Sequence, residues 1–281
     1  MTETAYVPTT WLVVGHGSVG AAIVGRLRQH GVLPAVYDPD PRVPVIVGRR
    51  ILAIADLPSA QYIVSCVSPR AALSVPSLVD AAMTQETIYL DWNTVAPSVK
   101  AEIAAQAACE VVDVGLLDSL DKEGPSRIAL SGSAAVTVQP VLEALGFETD
   151  VVGTSCGDAA LLKFTRSVFM KSLEALVLQH VALAHRLDSS GTVNRSIGAN
   201  LGEEFVDFAR MLVETNRVHA VRRAAELETA VELFAVDGRA LPLAGGAVAV
   251  LRRAAEIWGT DDAPPADADY EELVAYLARA M

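Results

Sequence analysis

The stretch Gly15-His16-Gly17-Ser18-Val19-Gly20 constrains this chain more than any other. It is a complete GxGxxG, and its flanks are of the required kind. The run Trp11-Leu12-Val13-Val14 before it reads as a strand, and Val19–His30 after it reads as a helix. In such a unit the first glycine permits a tight turn, the second lets backbone approach a pyrophosphate, and the third lets helix pack on strand. The helix N-terminus then holds phosphates through its N–H groups and dipole. The six residues Gly15, His16, Gly17, Ser18, Val19 and Gly20 are therefore the first expected cofactor contacts.

The pattern continues beyond the turn. Strands are expected at Leu33–Tyr37, Tyr62–Val67, Thr87–Asp91, Glu110–Val114, Arg127–Ser131 and Phe147–Val152. Helices are expected at Ala71–Met83, Ser98–Ala108 and Ala134–Leu145. Alternating strands and helices imply right-handed crossovers and a mainly parallel, doubly wound sheet of Rossmann type, with the closely spaced later strands open to an antiparallel course. Strand signals almost stop after Gly153. Helices are expected at Gly157–Leu187, Leu201–Ala225, Glu226–Val236, Ala244–Trp258 and Tyr270–Ala280, with Asp261–Asp269 as a loop. The fold class is α/β: a dinucleotide-binding domain at 1–153, then an all-α domain for substrate and dimerisation at 154–281.

Composition narrows the partners. A formal net charge of −12, with no run of Lys and Arg longer than two, argues against nucleic acid. The three cysteines (Cys66, Cys109, Cys156) are widely spaced, and the histidines form no HxxxH or HExxH, so no metal site is expected. No uninterrupted apolar run reaches the roughly 18 residues that span a bilayer, and Met1–Thr10 carries no Lys or Arg. A cytoplasmic protein without a membrane partner is the expectation.

Asp38 ends the second predicted strand, eighteen positions after Gly20. An acid there accepts hydrogen bonds from ribose hydroxyls and repels a 2′-phosphate, which favours NAD. It could instead cap the turn at Pro39, and Arg42, Arg49 and Arg50 keep NADP open. Val67 and Ser68, at the end of the Tyr62–Val67 strand, are expected at the nicotinamide ribose. Asn93 and Thr94 follow another strand, where a loop at the carboxyl end faces the ligand crevice. Asn93 is expected to contact cofactor and substrate, and Thr94 substrate, although Thr94 or Ser98 would also serve as a helix N-cap.

In the long helix Gly157–Leu187, Lys163, Ser167, Lys171 and Glu174 recur at four, four and three residues, one polar stripe on an apolar cylinder. A buried lysine is costly unless paired or used, although a lysine reaching water along the surface is the commoner arrangement. An apolar helix this long also needs cover, which suggests a homodimer with interlocked C-terminal helices.

Taken together, the Gly-rich turn, Asp91-Trp92-Asn93-Thr94, Asp113-Val114-Gly115 and the Gly157-to-Lys163 helix start resemble the β-hydroxyacid dehydrogenases in order and content. That family includes 3-hydroxyisobutyrate and 6-phosphogluconate dehydrogenases. The stretch Leu162–Leu176 looks closest to a subgroup with a phosphogluconate-dehydrogenase-like C-terminal domain of unassigned substrate. The resemblance implies that Lys163 is the catalytic acid/base, and that Gly115, Leu116, Leu117, Asp118, Arg166 and Ser167 join Asn93 and Thr94 around the substrate. Two departures stand out. Better-known members carry asparagine one turn after the lysine, where this chain has Arg166 and Ser167, and a Ser-Gly-Gly loop where it reads Leu117-Asp118-Ser119. The substrate is then not a simple 3-hydroxy carboxylate held in the usual way; Arg166, Lys122 or Arg127 could supply a cation to it.

The reaction implied is hydride transfer between the nicotinamide and a small hydroxy acid or related alcohol. Lys163 takes the hydroxyl proton, helped by a pKa that burial and Arg166 would both lower. An imine reductase is the rival enzyme, since it shares the architecture but usually lacks the lysine. A non-catalytic dinucleotide-binding module would need the glycines and Asp38 alone.

Overall fold

The computed structural model describes residues 10–44, 48–118, 120, 124–186, 190–236, 238–265 and 267–281. The chain divides into two compact units, 1–163 and 164–281.

The first unit is built on one eight-stranded sheet. Its elements are β1 (Trp11–Val14), α1 (Ser18–Gln29), β2 (Ala35–Tyr37), β3 (Arg49–Ile51), β4 (Tyr62–Ser65), α2 (Val75–Leu78), β5 (Ile88–Asp91), α3 (Pro97–Gln106), β6 (Glu110–Leu116), β7 (Ser126–Ser131), α4 (Ala135–Ala144) and β8 (Phe147–Gly153). The strand order is β3-β2-β1-β4-β5-β6-β7-β8. Strands β1 to β6 pair in parallel, β6 and β7 antiparallel, and β7 and β8 parallel to each other. The chain direction of the sheet thus reverses once, within the closely spaced later strands.

Alternation along each strand sends successive side chains to opposite faces. Trp11 and Val13 of β1 join Ile23, Val24 and Leu27 of α1 and Val138, Val141 and Leu142 of α4 in one core layer. Leu12 and Val14 join Val75 of α2 and Ile103 of α3 in the other. Both faces are covered, so the strands are apolar throughout rather than alternating. The order turns at β1: β2 and β3 lie on one side, β4 onward on the other. That reversal opens a crevice at the carboxyl ends of β1 and β4, where the Gly-rich turn sits.

Three local expectations are corrected. The edge strand β3 is unforeseen; its Arg-Arg-Ile carries no apolar alternation, and pairing with β2 alone makes it a strand. The expected helix Ala71–Met83 survives as α2 between two single 3₁₀ turns, Ala72–Ser74 and Asp80–Ala82. The second strand starts at Ala35, because Leu33 faces solvent.

Helix α5 (Asp158–Arg186) begins in the first unit and continues into the second. The division therefore falls inside a helix, ten residues beyond the expected boundary at 153, since the first turns of α5 are bonded to the sheet. Leu187, its expected last residue, lies outside the described residues.

The second unit is helical: the rest of α5, then α6 (Ser190–Leu201), α7 (Glu203–Val236), α8 (Pro242–Trp258) and α9 (Tyr270–Ala280). Helix α6 was not expected, because Gly191 and Gly198 give it a loop-like sequence. The two helices expected over 201–236 are one, since no Gly or Pro interrupts Glu203–Val236. Gly202, at φ +91°, separates α6 from α7. Residues of α5, α7, α8 and α9 share one apolar core, including Leu178, Leu227, Leu251 and Leu277. Asp269 and Glu272 form a reciprocal capping box at the start of α9.

By length and composition α5 could cross a membrane, with a mean hydropathy of 1.2 over 18 residues. This corrects the expectation that no segment qualifies, because such a window tolerates isolated charges. Those charges are paired inside the helical unit: Lys171 lies 3.0 Å from Glu226, and Glu174 lies 2.6 Å from Arg223.

Candidate functional site

The turn after β1 has the geometry its glycines suggest. Gly15 adopts φ +91°, and a Cβ there would stand 2.4 Å from the Cys66 carbonyl oxygen at the end of β4. A Cβ on Gly20 would stand 2.1 Å from the Gly15 carbonyl oxygen. Both glycines are buried and required by packing. Gly17 is different: it is exposed, and a Cβ there would meet nothing within 4 Å. Gly17 caps α1 without any side-chain hydrogen bond and without an acid in the first turn. The helix therefore presents an uncapped, positive N-terminus for an anion. A cavity of about 440 Å³ lies beside it, lined by His16, Gly17, Ser18, Ala21, Val24, Gly25 and Pro44. The residues present fit a dinucleotide.

Asp38 stands at the end of β2. One carboxylate oxygen accepts the His16 N–H (2.8 Å), and the other accepts the Asp40 N–H (2.9 Å). It therefore joins the Gly-rich turn to the loop after β2 as well as offering a negative edge. Arg42 pairs with Asp40, and Arg50 donates to the carbonyl oxygens of Asp40 and Val43. Burial lowers the His16 pKa, with Arg50 adding to that and Asp38 opposing it. The Cys66 thiol donates to the Gly15 carbonyl oxygen (3.1 Å), and burial pushes its pKa up to about 12, so it remains a thiol.

The loop after β5 carries Asn93 and Thr94. Asn93 is buried, and its amide is occupied internally: Oδ1 accepts the Val67 N–H (2.7 Å), while Nδ2 donates to Asp91 (2.6 Å) and Ser65 (2.8 Å). It latches the exits of β4 and β5 together, with the Val67 side chain against Gly15 of the turn and Ser68 exposed. Thr94 is exposed and receives a hydrogen bond from Lys163 Nζ at 2.7 Å. Lys163 is half-buried rather than enclosed.

The start of α5 is fixed to the sheet. Asp113 Oδ2 on β6 accepts the N–H groups of Gly157 (3.1 Å) and Ala160 (2.9 Å), and Ser131 Oγ on β7 accepts that of Ala159 (3.0 Å). Gly115 is buried in β6, where a Cβ would stand 2.8 Å from the Ala159 carbonyl oxygen. It serves this close approach. Leu116, Leu117 and Asp118 form the half-buried arm of the β6–β7 hairpin, with Leu117 N–H bonded to the Arg127 carbonyl (3.0 Å) and Asp118 accepting from the Arg127 N–H (3.3 Å). Arg127 itself pairs with Glu148. Ser119 and Lys122 lie outside the described residues. Arg166 and Ser167 follow one turn after Lys163 on α5, exposed and half-buried respectively, in the second unit.

One residue near the site escaped the sequence reading. Lys100 of α3 is 1% exposed, with Nζ 2.9 Å from Asp113 Oδ1 and 3.3 Å from Asp91 Oδ2, and it donates to the Asp91 carbonyl oxygen at 2.8 Å. The available signal was a lysine three residues before Ile103 on the inward face of a short helix. Burial raises the Asp91 pKa, and Lys100 opposes that rise. Among the described residues no group of three or more His, Cys, Asp or Glu side chains is arranged for a metal ion.

No protein-family profile matches the chain. A curated relative, an uncharacterised 28.5 kDa protein of Methanothermus fervidus, is 28% identical over 170 residues, 60% of this chain and 66% of that protein. The matched segment thus spans just under two thirds of the relative's length. A conserved hypothetical protein of Sinorhizobium meliloti superposes with a TM-score of 0.79 at 24% identity, covering 99% of this chain and 98% of that one. A 3-hydroxyisobutyrate dehydrogenase of Mycobacterium tuberculosis superposes with a TM-score of 0.77 at 18% identity, covering 96% and 99%. The chain has the 3-hydroxyisobutyrate dehydrogenase fold. An imine reductase of Aspergillus terreus, in complex with NADPH4 and dibenz[c,e]azepine, matches at a TM-score of 0.60 and 18% identity, covering 89% and 95%. Proteins of this fold thus include a dehydrogenase and an imine reductase, so the fold alone does not choose between activities.

Proposed function

We propose that this protein is a nicotinamide-dependent oxidoreductase that moves a hydride between the cofactor and a small hydroxy acid or related alcohol, with Lys163 as general acid/base. One observation carries the reading: Lys163 Nζ bonds to Thr94 Oγ1 at 2.7 Å, at the carboxyl end of β5. The Gly15–Cys66 contact and the Val67–Asn93 bond link that loop to the dinucleotide turn. Bound cofactor supplies the hydride acceptor. The chain supplies the rest: Thr94 aims the amine, and the amine takes the hydroxyl proton as the C–H pair leaves, returning it in reduction.

NAD is the cofactor this reading favours. The Asp38 carboxylate faces the turn, Arg42 is paired with Asp40, and Arg50 is engaged with backbone carbonyls. The imine reductase among the similar structures keeps imine reduction as the second reading, and a panel of hydroxy acids against cyclic imines separates the two.

Lys163→Met should leave the NAD dissociation constant unchanged and lower kcat by about 10²–10⁴-fold, the usual contribution of a positioned acid/base. Full turnover in that variant would overturn the assignment. The working unit in this reading is a homodimer interlocked through its C-terminal helices. Phe169, Leu176 and Leu183 of α5 are 67%, 62% and 59% exposed at seven-residue spacing, one apolar stripe suited to a second copy.

A further inference from the structure

The Lys163–Thr94 bond joins two pieces of chain that are far apart in sequence, the loop after β5 and the helix after β8. Something must hold both ends, and the buried charges of the sheet unit do so. Asp91 and Asp113 are register partners on the adjacent parallel strands β5 and β6, and both are 0% exposed. Two carboxylates so placed repel unless a cation lies between them. Lys100 is that cation, contacting one oxygen of each.

The remaining oxygens point to the two ends of the site. Asp91 Oδ1 accepts the backbone N–H (2.9 Å) and the side-chain Nδ2 (2.6 Å) of Asn93, the residue before Thr94. Asp113 Oδ2 accepts Gly157 and Ala160 N–H at the start of the helix that carries Lys163. The series Thr94–Asn93–Asp91–Lys100–Asp113–α5–Lys163 therefore closes on itself through the Lys163–Thr94 bond.

We propose that Lys100 is a positioning residue: by clamping Asp91 to Asp113 it sets the distance between the Thr94 loop and the start of α5, and so holds the Lys163 amine on Thr94. Its catalytic consequence rests on the function proposed above; its geometric consequence does not. A lysine serving stability alone would leave the Lys163 amine as it is in any variant that stays folded.

The test uses the full chain and two variants, Lys100→Met and Lys100→Met/Asp91→Asn. The double variant removes the cation together with one carboxylate, leaving Asp113 against the α5 N-terminus where a negative charge is favoured. It therefore retains its fold even if the single variant does not. The first readout is the acetylation rate of Lys163 by limiting acetic anhydride, followed by peptide mass spectrometry. Loss of a hydrogen bond to a charged group is worth about a factor of ten or more, so Lys163 should label about tenfold faster. The second readout is kinetic: kcat should fall by about 10²-fold, the cost of misplacing a reacting group by about 1 Å. Wild-type labelling of Lys163 in the folded double variant would overturn the proposal. If wild-type protein turns over no substrate, the enzyme reading fails and the labelling readout still decides the role of Lys100.

Discussion

The buried polar cluster of the helical unit offers the sharpest test of how that unit is held together. Glu174 of α5 is 2% exposed, and its Oε1 accepts Asn216 Nδ2 and Arg223 NH1, each at 2.6 Å. Asn216, at 0% exposure, accepts Trp258 Nε1 at 2.8 Å, so a chain of hydrogen bonds through Asn216 joins the α5 carboxylate to α7 and α8. Glu174→Ala strands a guanidinium and an amide at once. Breaking a buried ion pair by removing one partner costs about 3–5 kcal/mol. Because the Arg223 side chain is 16% exposed and can recruit water, the lower part of that range applies. A loss of about 3–4 kcal/mol corresponds to a fall of roughly 12–16 °C in the melting of the helical unit. Glu174→Gln keeps the volume and one acceptor, and should lose about half as much. Arg210→Ala, which removes an exposed i,i+4 pair with Glu214, should be the mildest of the three. Chemical denaturation followed by far-ultraviolet circular dichroism ranks the three. If Glu174→Ala unfolded within 1 kcal/mol of the parent, the cluster would contribute nothing and the argument from burial would be wrong.

Three further outcomes follow. Gly20→Ala places a methyl against the Gly15 carbonyl oxygen and should cost about 1–3 kcal/mol while weakening nicotinamide dinucleotide binding, measured by calorimetry. Burial alone would raise the Glu226 pKa, but Lys171 and Arg222 outweigh it and hold the group below its ordinary value. Its contribution to stability is therefore complete above the unfolded carboxyl value and lost as pH falls through the lowered folded value. Lys171→Met should flatten that part of the stability–pH curve, and an unchanged slope would contradict the pairing. Leu176→Glu puts a charge in the middle of the exposed α5 stripe; on the proposed dimer, sedimentation should show the parent as dimer and the variant as monomer at the same concentration, and a monomeric parent would refute the dimer.

Much of the sheet unit was legible because its signals are local. The β1–turn–α1 unit is announced by three glycines between an apolar run and a helical one. What escaped depends on partners remote in sequence. Arg49–Ile51 becomes a strand only because β2 lies beside it. Asn93 has the look of a ligand-binding amide, yet both Nδ2 hydrogens go to Asp91 and Ser65 and its Oδ1 accepts the Val67 N–H. Lys100 looks like a solvent lysine in Pro97-Ser98-Val99-Lys100 until the register of Asp91 with Asp113 gives it something to neutralise. The boundary expected at Ala225/Glu226 is absent from α7, since no Gly or Pro stands there.

The emptiness around Gly17 has a practical use. Its backbone, at φ −72° and ψ −163°, is open to any L-residue, and a methyl there touches no protein atom within 4 Å. Alanine at this point should even stiffen the unfolded chain slightly, a gain of about 0.4–1 kcal/mol. Gly17→Ala is thus a lock that shuts the phosphate door while leaving the house standing. In a living cell it would tell apart what the organism needs from the chemistry and what it needs from the scaffold.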